Sequence, residues 1–224
     1  MTALTLQNVS YTYPGGTSTV VKHASYEFEA GKLYAVVGPS GSGKSTLLSM
    51  LAGLDAPGEG DVVLGEENLK TLDLDKYRRV GVSIIFQAFC LLPLLTVREN
   101  VTLPMEMQGI PESEARVKAA EALEKVGIEE SKHKRFPSAL SGGEQQRVAI
   151  ARSLCSGAPV LLADEPTGNL DAANTVNVIR ILGQLAHEQG YCVIVVTHDP
   201  EVAELADQVY RVKDGVLTVE KGVS

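Results

Sequence analysis

The sequence has few cysteines and no long apolar run, and each shortage excludes a class of protein. The three cysteines, Cys90, Cys155 and Cys192, are odd in number and widely spaced, which argues against a disulfide framework or a zinc site. We therefore expect each to be a small buried apolar residue in a reducing compartment. No apolar stretch reaches the roughly 18 residues that a membrane-spanning helix needs.

Positive charge is also scarce. The chain has 20 Lys and Arg against 28 Asp and Glu, for a net charge of -8. Because sequence-independent nucleic-acid binding depends on Lys and Arg neutralising phosphates, we expect no nucleic-acid partner. The first residues lack the basic start and apolar run of a signal peptide, so we expect a soluble, intracellular protein. If the protein acts at a membrane, a separate subunit must span it.

The order of strand and helix patterns predicts an α/β fold. Short alternating runs before Gly31 indicate antiparallel strands, and a short strand follows at 60–65. Continuous apolar runs, typical of strands buried on both faces, lie at 33–37, 82–86, 159–164 and 191–199. Because helical patterns alternate with these runs, they predict a parallel sheet.

Helical patterns divide the chain. Helix formers and helical spacing occur at 44–53, 111–128, 142–154 and 172–189. Strand patterns disappear from about 88 to 155, which predicts an inserted helical lobe. We expect a single domain over 1–224, with a core lobe of residues 1–87 and 156–224 and a helical lobe of residues 88–155. Asp214-Gly215 predicts the turn of a final hairpin.

A glycine-rich loop follows the strand at 33–37. Its sequence, GPSGSGKST, fits the G-x-x-x-x-G-K-[ST] phosphate-binding pattern. The glycines let backbone N–H groups converge on phosphate oxygens, and the helix start adds a positive dipole end. Lys44 adds a full charge, and the Ser45 hydroxyl can ligate Mg²⁺. The predicted ATP-binding residues are Gly38, Pro39, Ser40, Gly41, Ser42, Gly43, Lys44, Ser45 and Thr46. A turn that only connects strand to helix gives no reason for Lys-Ser after the last glycine.

Three other predicted strands end in polar residues. Asp164 can hold Mg²⁺ through water, and the adjacent Glu165 can polarise an attacking water. His198 ends a third strand, which favours a γ-phosphate contact once the strand ends converge. Gln87 can bond both a Mg²⁺ ligand water and the nucleophile, but an ordinary loop residue is an equally good interpretation of its pattern. Without the phosphate loop, the two acids would indicate a solvated strand end, and the histidine a structural residue.

A second helix start lies in LSGGEQQRVAIAR, residues 140–152. Ser141 and Glu144 have capping-box spacing, so a helix should begin near Gly142 with free N–H groups. Gly142 and Gly143 carry no side chains, so an anion could approach closely. An ordinary capped helix is at least as good an interpretation on physical grounds alone. Because the chain already has one phosphate loop, this second start favours contact with the phosphate of another molecule.

Taken in order, these motifs resemble those of ATP-binding cassette (ABC) nucleotide-binding domains over essentially the whole chain. The matching elements are the phosphate loop, Gln87, LSGGEQQ with Glu144 in place of the commoner Gln, LLADEP, GNLD at 168–171, and His198. The resemblance implies an ABC-type P-loop NTPase with a RecA-like parallel-sheet core, an N-terminal antiparallel patch and an inserted helical lobe. It also implies an ATPase that uses Mg²⁺.

The same resemblance implies roles for individual residues. The protein would form a head-to-tail homodimer in which each ATP lies between the phosphate loop of one subunit and residues 141–144 of the other. Glu165 would be the general base, with His198 on the γ-phosphate and with Lys44 and Gln87 in the catalytic set. Ser45, Gln87 and Asp164 would serve the metal. Asp171 would carry signals across the interface, and Tyr13 would stack on adenine, with Tyr11 as its competitor.

The segment after Gln87, AFCLLPLLTVRENVTLPMEMQGIP, is apolar and interrupted by proline. We expect it to be too irregular for a core helix and to form an apolar docking patch, although some of its leucines must pack inside the helical lobe. By the resemblance, an integral membrane permease subunit docks near 87–105 on the inner face of the membrane.

The branch of the family is indicated by LLPLLTVRENVTLP and LLADEPTGNLD. These stretches resemble the ATPases of macrolide efflux, lipoprotein release and antimicrobial-peptide resistance, which implies export or transmembrane force transmission. A cell-division-type ATPase and a soluble ABC ATPase of DNA repair or translation are the alternatives. The chain lacks the coiled-coil or second-cassette insertions of that soluble class. A scaffold that binds nucleotide without turnover would not need the complete catalytic set.

Overall fold

The computed structural model describes residues 2–221, which form two sheets flanked by helices. The strands are β1 (Thr2–Thr12), β2 (Thr19–Glu29), β3 (Leu33–Val37), β4 (Glu59–Leu64), β5 (Glu67–Asn68), β6 (Val82–Phe86), β7 (Val160–Asp164), β8 (Cys192–Thr197), β9 (Gln208–Lys213) and β10 (Val216–Lys221). The α-helices are α1 (Lys44–Leu51), α2 (Leu74–Lys76), α3 (Val97–Met107), α4 (Glu112–Lys125), α5 (Gly142–Leu154), α6 (Ala172–Gln189) and α7 (Pro200–Leu205).

The six-stranded sheet is the predicted parallel core. Its order is β10-β9-β3-β8-β7-β6. Every pair is parallel except the terminal β9–β10 hairpin. Asp214 and Gly215 form the turn with φ of 50° and 80°, as two-residue hairpin loops of this kind require. The parallel sheet and the final hairpin are therefore confirmed.

Alternate residues of the central strands enter two different cores. In β3, Leu33, Ala35 and Val37 join the apolar cluster that includes α5 and α6. Tyr34 and Val36 join the cluster on the opposite face, with α1 and the N-terminal strands. All five side chains of β3 are buried, so the prediction of a strand buried on both faces is confirmed for 33–37.

The run at 82–86 forms a strand, but it is less buried than the sequence predicts. β6 lies at the edge of the sheet, next to β7 alone. Two of its five side chains are buried, and Phe86 is exposed. The apolar run predicts the strand correctly, and the edge position explains why it is not covered on all sides.

A four-stranded antiparallel sheet contains the N-terminal strands. Its order is β2-β1-β4-β5, and β1 pairs antiparallel with both β2 and β4. The predicted antiparallel patch is confirmed, and the strand expected at 60–65 belongs to it as β4.

Between β6 and β7 the chain is helical, but one part of the prediction is wrong. The segment thought too irregular for a core helix contains α3, which buries Val97, Val101 and Met105. Burying such side chains contributes about 1.5–3 kcal/mol each, which outweighs the cost of about 3 kcal/mol for Pro104 inside the helix. The overlooked signal was the capping box of Thr96 and Glu99 that starts α3.

Two further differences concern short elements and the cysteines. The sequence patterns gave no prediction of α2, of the π-helix Tyr77–Gly81 that continues it, or of α7. Cys192 is buried as expected and Cys155 is half-buried, but Cys90 is exposed. The expectation of a buried residue is wrong for Cys90 because it lies in the loop after the edge strand β6.

No helix among residues 2–221 has both the length and the apolar character needed to cross a membrane.

Candidate functional site

Four parallel strands deliver the predicted site residues to one edge of the sheet. Val37 pairs with Thr197, Val196 with Asp164, and Asp164 with Phe86. The residues that follow these strands therefore emerge side by side, as expected for the carboxyl edge of such a sheet. They border a cleft of about 680 Å³ lined by Tyr13, Val20, Ser40, Gly41, Gly43, Lys44, Ser45, Thr46, Gln87, Glu165 and His198.

The glycine-rich loop ends at the start of α1. Gly43 caps this helix with φ of 105°, and a Cβ there would lie 2.7 Å from the carbonyl oxygen of Val20, so only glycine fits. No side chain caps α1, so its first backbone N–H groups are available to a ligand. The buried Lys44 donates from Nζ to the carbonyls of Gly38 at 2.8 Å and Pro39 at 3.0 Å. The loop thus concentrates backbone donors and a positive charge.

Asp164 and Ser45 form a donor set that suits a hard divalent cation. Oδ1 of Asp164 is buried and has no hydrogen-bond partner among the described residues. The pKa of Asp164 is raised, because burial and the neighbouring Glu165 disfavour its charged form more than Lys44 and the Ser45 hydroxyl favour it. An unpartnered carboxylate oxygen beside a hydroxyl is chemistry that Mg²⁺ accepts. Residues 2–221 contain no cluster of three or more His, Cys, Asp or Glu that could hold a metal.

Glu165 is held in an unusual conformation. Its φ is 47°, a left-handed value that costs a non-glycine residue free energy and that clusters at functional sites. Its N–H donates to the Val196 carbonyl at 2.8 Å. The carboxylate accepts from Thr197 Oγ1 at 3.2 Å and lies 3.0 Å from His198 Nδ1. Glu165 and His198, predicted separately, therefore form one polar unit.

Thr197 belongs to this polar unit and was not predicted from the sequence. It is fully buried at the end of β8, where its hydroxyl also accepts from the Asp199 N–H at 3.0 Å. The available signal was a hydroxyl residue at the end of an apolar strand, directly before the predicted His198.

Gln87 is held by a second residue that was not predicted. Asn169 donates from Nδ2 to the Gln87 carbonyl at 3.0 Å, and Gln87 Nε2 lies 3.5 Å from Asn169 Oδ1. A Cβ at Gly168 would lie 2.6 Å from Gln87 Nε2. Gln87 therefore packs against the chain that follows Glu165, which favours a site residue over an ordinary loop residue.

The two candidate tyrosines lie in different environments. Tyr13 is 49% exposed, lines the cleft, and has its hydroxyl 2.7 Å from Thr46 Oγ1. Tyr11 is 7% exposed, and its hydroxyl donates to Asp55 at 3.3 Å. The rings meet edge to face at 5.1 Å. Of the two, Tyr13 offers a ring to a bound base.

The second helix start is capped as predicted, and its residues 141–144 do not line the cleft. Ser141 Oγ accepts from the Glu144 N–H at 3.3 Å, and the Glu144 carboxylate accepts from the Ser141 N–H at 2.9 Å. Glu144 also pairs with Lys132 Nζ at 2.5 Å, and these contacts lower the pKa of Glu144 to about 2. Among the described residues that line the cleft, none belongs to 141–144. One chain therefore does not bring the two helix starts together.

Asp171 has a structural role within the chain. It caps α6 by accepting from the Asn174 N–H at 2.8 Å, and these hydrogen bonds lower the pKa of Asp171. Asn174 also packs against the second helix start, because a Cβ at Gly143 would collide with Asn174 Oδ1. Asn174 thus links Asp171 to α5.

Comparison with known proteins identifies the family. The family model described as ABC transporter matches residues 21–168. The uncharacterized ABC transporter ATP-binding protein YclH of Bacillus subtilis is 40% identical over 224 residues, which is 100% of this chain and 99% of YclH. The macrolide export ATP-binding/permease protein MacB of Shigella flexneri is 42% identical over 96% of this chain, which spans 34% of MacB.

Solved structures agree with this result. The dimeric structure of the ABC transporter cassette MJ0796 matches with a TM-score of 0.88 and 39% identity, covering 99% of both chains. A relative of that name from Methanocaldococcus jannaschii is 41% identical over 96% of this chain and 95% of its own length. MJ0796 also matches as a dimer in a post-hydrolysis state bound to ADP and Pi. The predicted fold and ATPase activity are confirmed, and the chain belongs to the ABC transporter family as an ATP-binding, ATP-hydrolysing domain.

Proposed function

We propose that this chain is the ATP-hydrolysing subunit of an export or force-transmitting complex, and that it works as a homodimer beneath a separate membrane permease. One observation carries the proposal. A catalytic cleft and a second capped helix start occur in the same chain, but residues 141–144 of that helix start do not line the cleft. The ADP- and Pi-bound dimer of MJ0796 and the export permease fused in MacB support the same interpretation.

The glycine-rich loop and Tyr13 bind ATP. The N–H groups at the start of α1 and the Lys44 ammonium bind the β- and γ-phosphates. The exposed ring of Tyr13 stacks on adenine, held by its hydroxyl contact with Thr46.

Hydrolysis depends on the polar unit of Glu165. Its carboxylate accepts a proton from the water that attacks the γ-phosphate, and Thr197 orients that carboxylate. Because Nδ1 of His198 faces Glu165, Nε2 is the ring nitrogen left for the γ-phosphate. Gln87, positioned by Asn169, orients the same water.

Ser45, Gln87 and Asp164 would hold Mg²⁺. The buried, unpartnered Asp164 Oδ1 and the Ser45 hydroxyl support this assignment. When bound, Mg²⁺ neutralises charge that develops on the phosphate oxygens.

The second helix start serves the ATP of the other subunit. Ser141, Gly142 and Gly143 approach the partner's nucleotide with backbone and hydroxyl donors, while Glu144 contributes by capping the helix that presents them. Since the contacts of residues 141–144 with a nucleotide form only in the closed dimer, ATP stabilises closure by linkage. Asp171 carries signals across the interface, and its link through Asn174 to Gly143 supports that role.

The permease docks on the helical lobe. We divide the chain into a core lobe of residues 1–87 and 156–224 and a helical lobe of residues 88–155. Leu92, Leu94 and Met107 are exposed by 43%, 87% and 67% in the helical lobe, which supports an apolar docking surface near 87–105. The protein then lies on the cytoplasmic face of the membrane, bound through its partner.

The test is to tag the protein, solubilise membranes gently and identify what co-purifies. We expect an integral membrane protein, and its extracytoplasmic part would direct the search for the substrate. Recovery of soluble partners alone, or of ribosomes or DNA, would refute the transporter role and favour the soluble ABC class. Mg-ATP turnover by the purified chain separates an ATPase from a nucleotide-binding scaffold.

A further inference from the structure

The segment after Gln87 contains two residues in an unfavourable backbone conformation. Phe89 and Cys90 are consecutive residues with φ of 57° and 51°. Left-handed values are rare for residues other than glycine, and most unusual for a bulky one such as phenylalanine. A contact from elsewhere in the protein must therefore stabilise this turn.

Arg152, near the end of α5, supplies that contact. Its Nη1 donates to the Cys90 carbonyl at 2.6 Å, and its Nη2 donates to the Phe89 carbonyl at 3.1 Å. The rigid, planar guanidinium can hold two neighbouring carbonyls at once, which a lysine ammonium on a flexible stem does less well. Burial of Arg152 lowers its pKa yet leaves it charged, so both hydrogen bonds are charge-assisted.

The turn held by Arg152 connects the cleft to α5. On one side, Gln87 is bound through its carbonyl to Asn169. On the other side, a Cβ at Gly142 would lie 3.6 Å from Phe89 Cζ, so the Phe89 ring lies against the start of α5. Helix α5 therefore contacts the segment after Gln87 at two places, through Gly142 at the start of the helix and through Arg152 near its end.

We propose that Arg152 is a positioning residue for ATP hydrolysis. It holds the left-handed turn at Phe89 and Cys90, and this turn fixes Gln87 at the cleft and ties it to the helix that begins after Ser141. The inference rests on the proposed role of Gln87 at the ATP site.

The first test is Arg152→Met, which keeps the aliphatic stem but removes the guanidinium. We expect kcat to fall about tenfold, as loss of a charge-assisted contact implies, with nucleotide affinity of the monomer unchanged. Arg152→Lys should retain intermediate activity and replaces Arg152→Met if that variant does not fold. Arg78→Met is the matched control, because Arg78 donates to the Gly53 carbonyl at 2.7 Å outside the cleft, and its kcat should not change.

A double-mutant cycle separates positioning from general stabilisation. If Arg152 acts through Gln87, Arg152→Met should have no further effect on kcat in a Gln87→Ala protein. A full additional fall in that background would overturn the proposal. Should Gln87→Ala itself hydrolyse ATP like the native protein, the proposed role of Gln87 fails instead, and with it the link from Arg152 to catalysis.

A spectroscopic measurement tests the structural step alone. A nitroxide on the exposed Cys90, in a Cys155→Ser protein, reports motion of the turn, because Cys192 is fully buried. We expect the label to be more mobile in Arg152→Met than in native Arg152 protein. An unchanged spectrum would show that Arg152 does not hold the turn, whatever Gln87 does.

Discussion

At the scale of single residues, the acid–base chemistry depends on a hydroxyl at the end of β8. Thr197 is fully buried, and its Oγ1 lies 3.2 Å from a Glu165 carboxylate whose backbone is left-handed. A strained residue persists only where its surroundings determine its position. Thr197 and the Val196 carbonyl are those surroundings for Glu165.

The corresponding prediction is for Thr197→Val, which preserves shape but removes the hydroxyl. We expect kcat to fall about tenfold because the carboxylate loses an orienting hydrogen bond worth about 1 kcal/mol or more, while the affinity for ATP stays the same. Steady-state ATPase rates and nucleotide titrations measure both quantities. Thr102→Val changes another buried threonine, whose hydroxyl donates to the Glu99 carbonyl at 3.2 Å, and it should leave kcat unaltered. A native kcat in Thr197→Val would mean that Thr197 does not orient Glu165.

At the scale of helices, the start of α5 depends on a charged carboxylate. Glu144 accepts from the Ser141 N–H and from Lys132 at one helix N-terminus, where a negative charge is also favoured by the helix dipole. Its pKa is lowered from 4.5 to about 2. Because the pKa in the folded state lies below that of the unfolded chain, the stabilisation is complete above the unfolded value. It is then lost as the pH falls toward the folded value.

Glu144→Gln should therefore lower the free energy of unfolding by about 1–2 kcal/mol at neutral pH. The difference from the native protein should shrink between about pH 5 and pH 2, where the native carboxylate gains its proton. Urea denaturation at several pH values measures it. Glu114→Gln removes a glutamate from an exposed pair with Lys118 and should have little effect at any pH. A difference that does not depend on pH would contradict the assignment to charge.

The elements also show what the sequence could predict. Apolar runs predicted the four parallel strands that end at the site, and the burial of all five side chains in β3 shows why such runs are reliable. The capping box at Ser141 was predictable because it is local. In contrast, Thr197 meets Glu165 across 32 positions and Asn169 meets Gln87 across 82, and no local pattern encodes such pairs. Helix α3 was not predicted because a proline inside a helix is rare, and the local capping box of Thr96 and Glu99 was the stronger signal.

At the scale of the whole molecule, association should depend on intact nucleotide. In Glu165→Gln the phosphate loop is unchanged, but the base that accepts the water proton is lost. We expect this variant to bind ATP, to hydrolyse it at least about a hundredfold more slowly, and to form dimers in Mg-ATP but not in Mg-ADP. Light scattering after size exclusion gives the mass.

Glu188→Gln makes the same change outside the cleft and should hydrolyse ATP without accumulating as a dimer. If Glu165→Gln stays monomeric at high protein and Mg-ATP concentrations, the two helix starts do not share a nucleotide.

The exposed apolar residues of the helical lobe allow catalysis and docking to be separated. Leu94 is 87% exposed and belongs to the loop between Gln87 and α3, so a charge there should disrupt an apolar contact without reaching the cleft. We expect Leu94→Asp to retain the ATPase rate of the purified chain and to lose the membrane protein in a gentle purification. Val117→Asp alters another exposed apolar residue, on α4 at 59% exposure, and should retain that partner. Because introducing a charge into a desolvated apolar contact costs several kcal/mol, equal recovery of the membrane protein with Leu94→Asp would place the docking surface elsewhere on the chain.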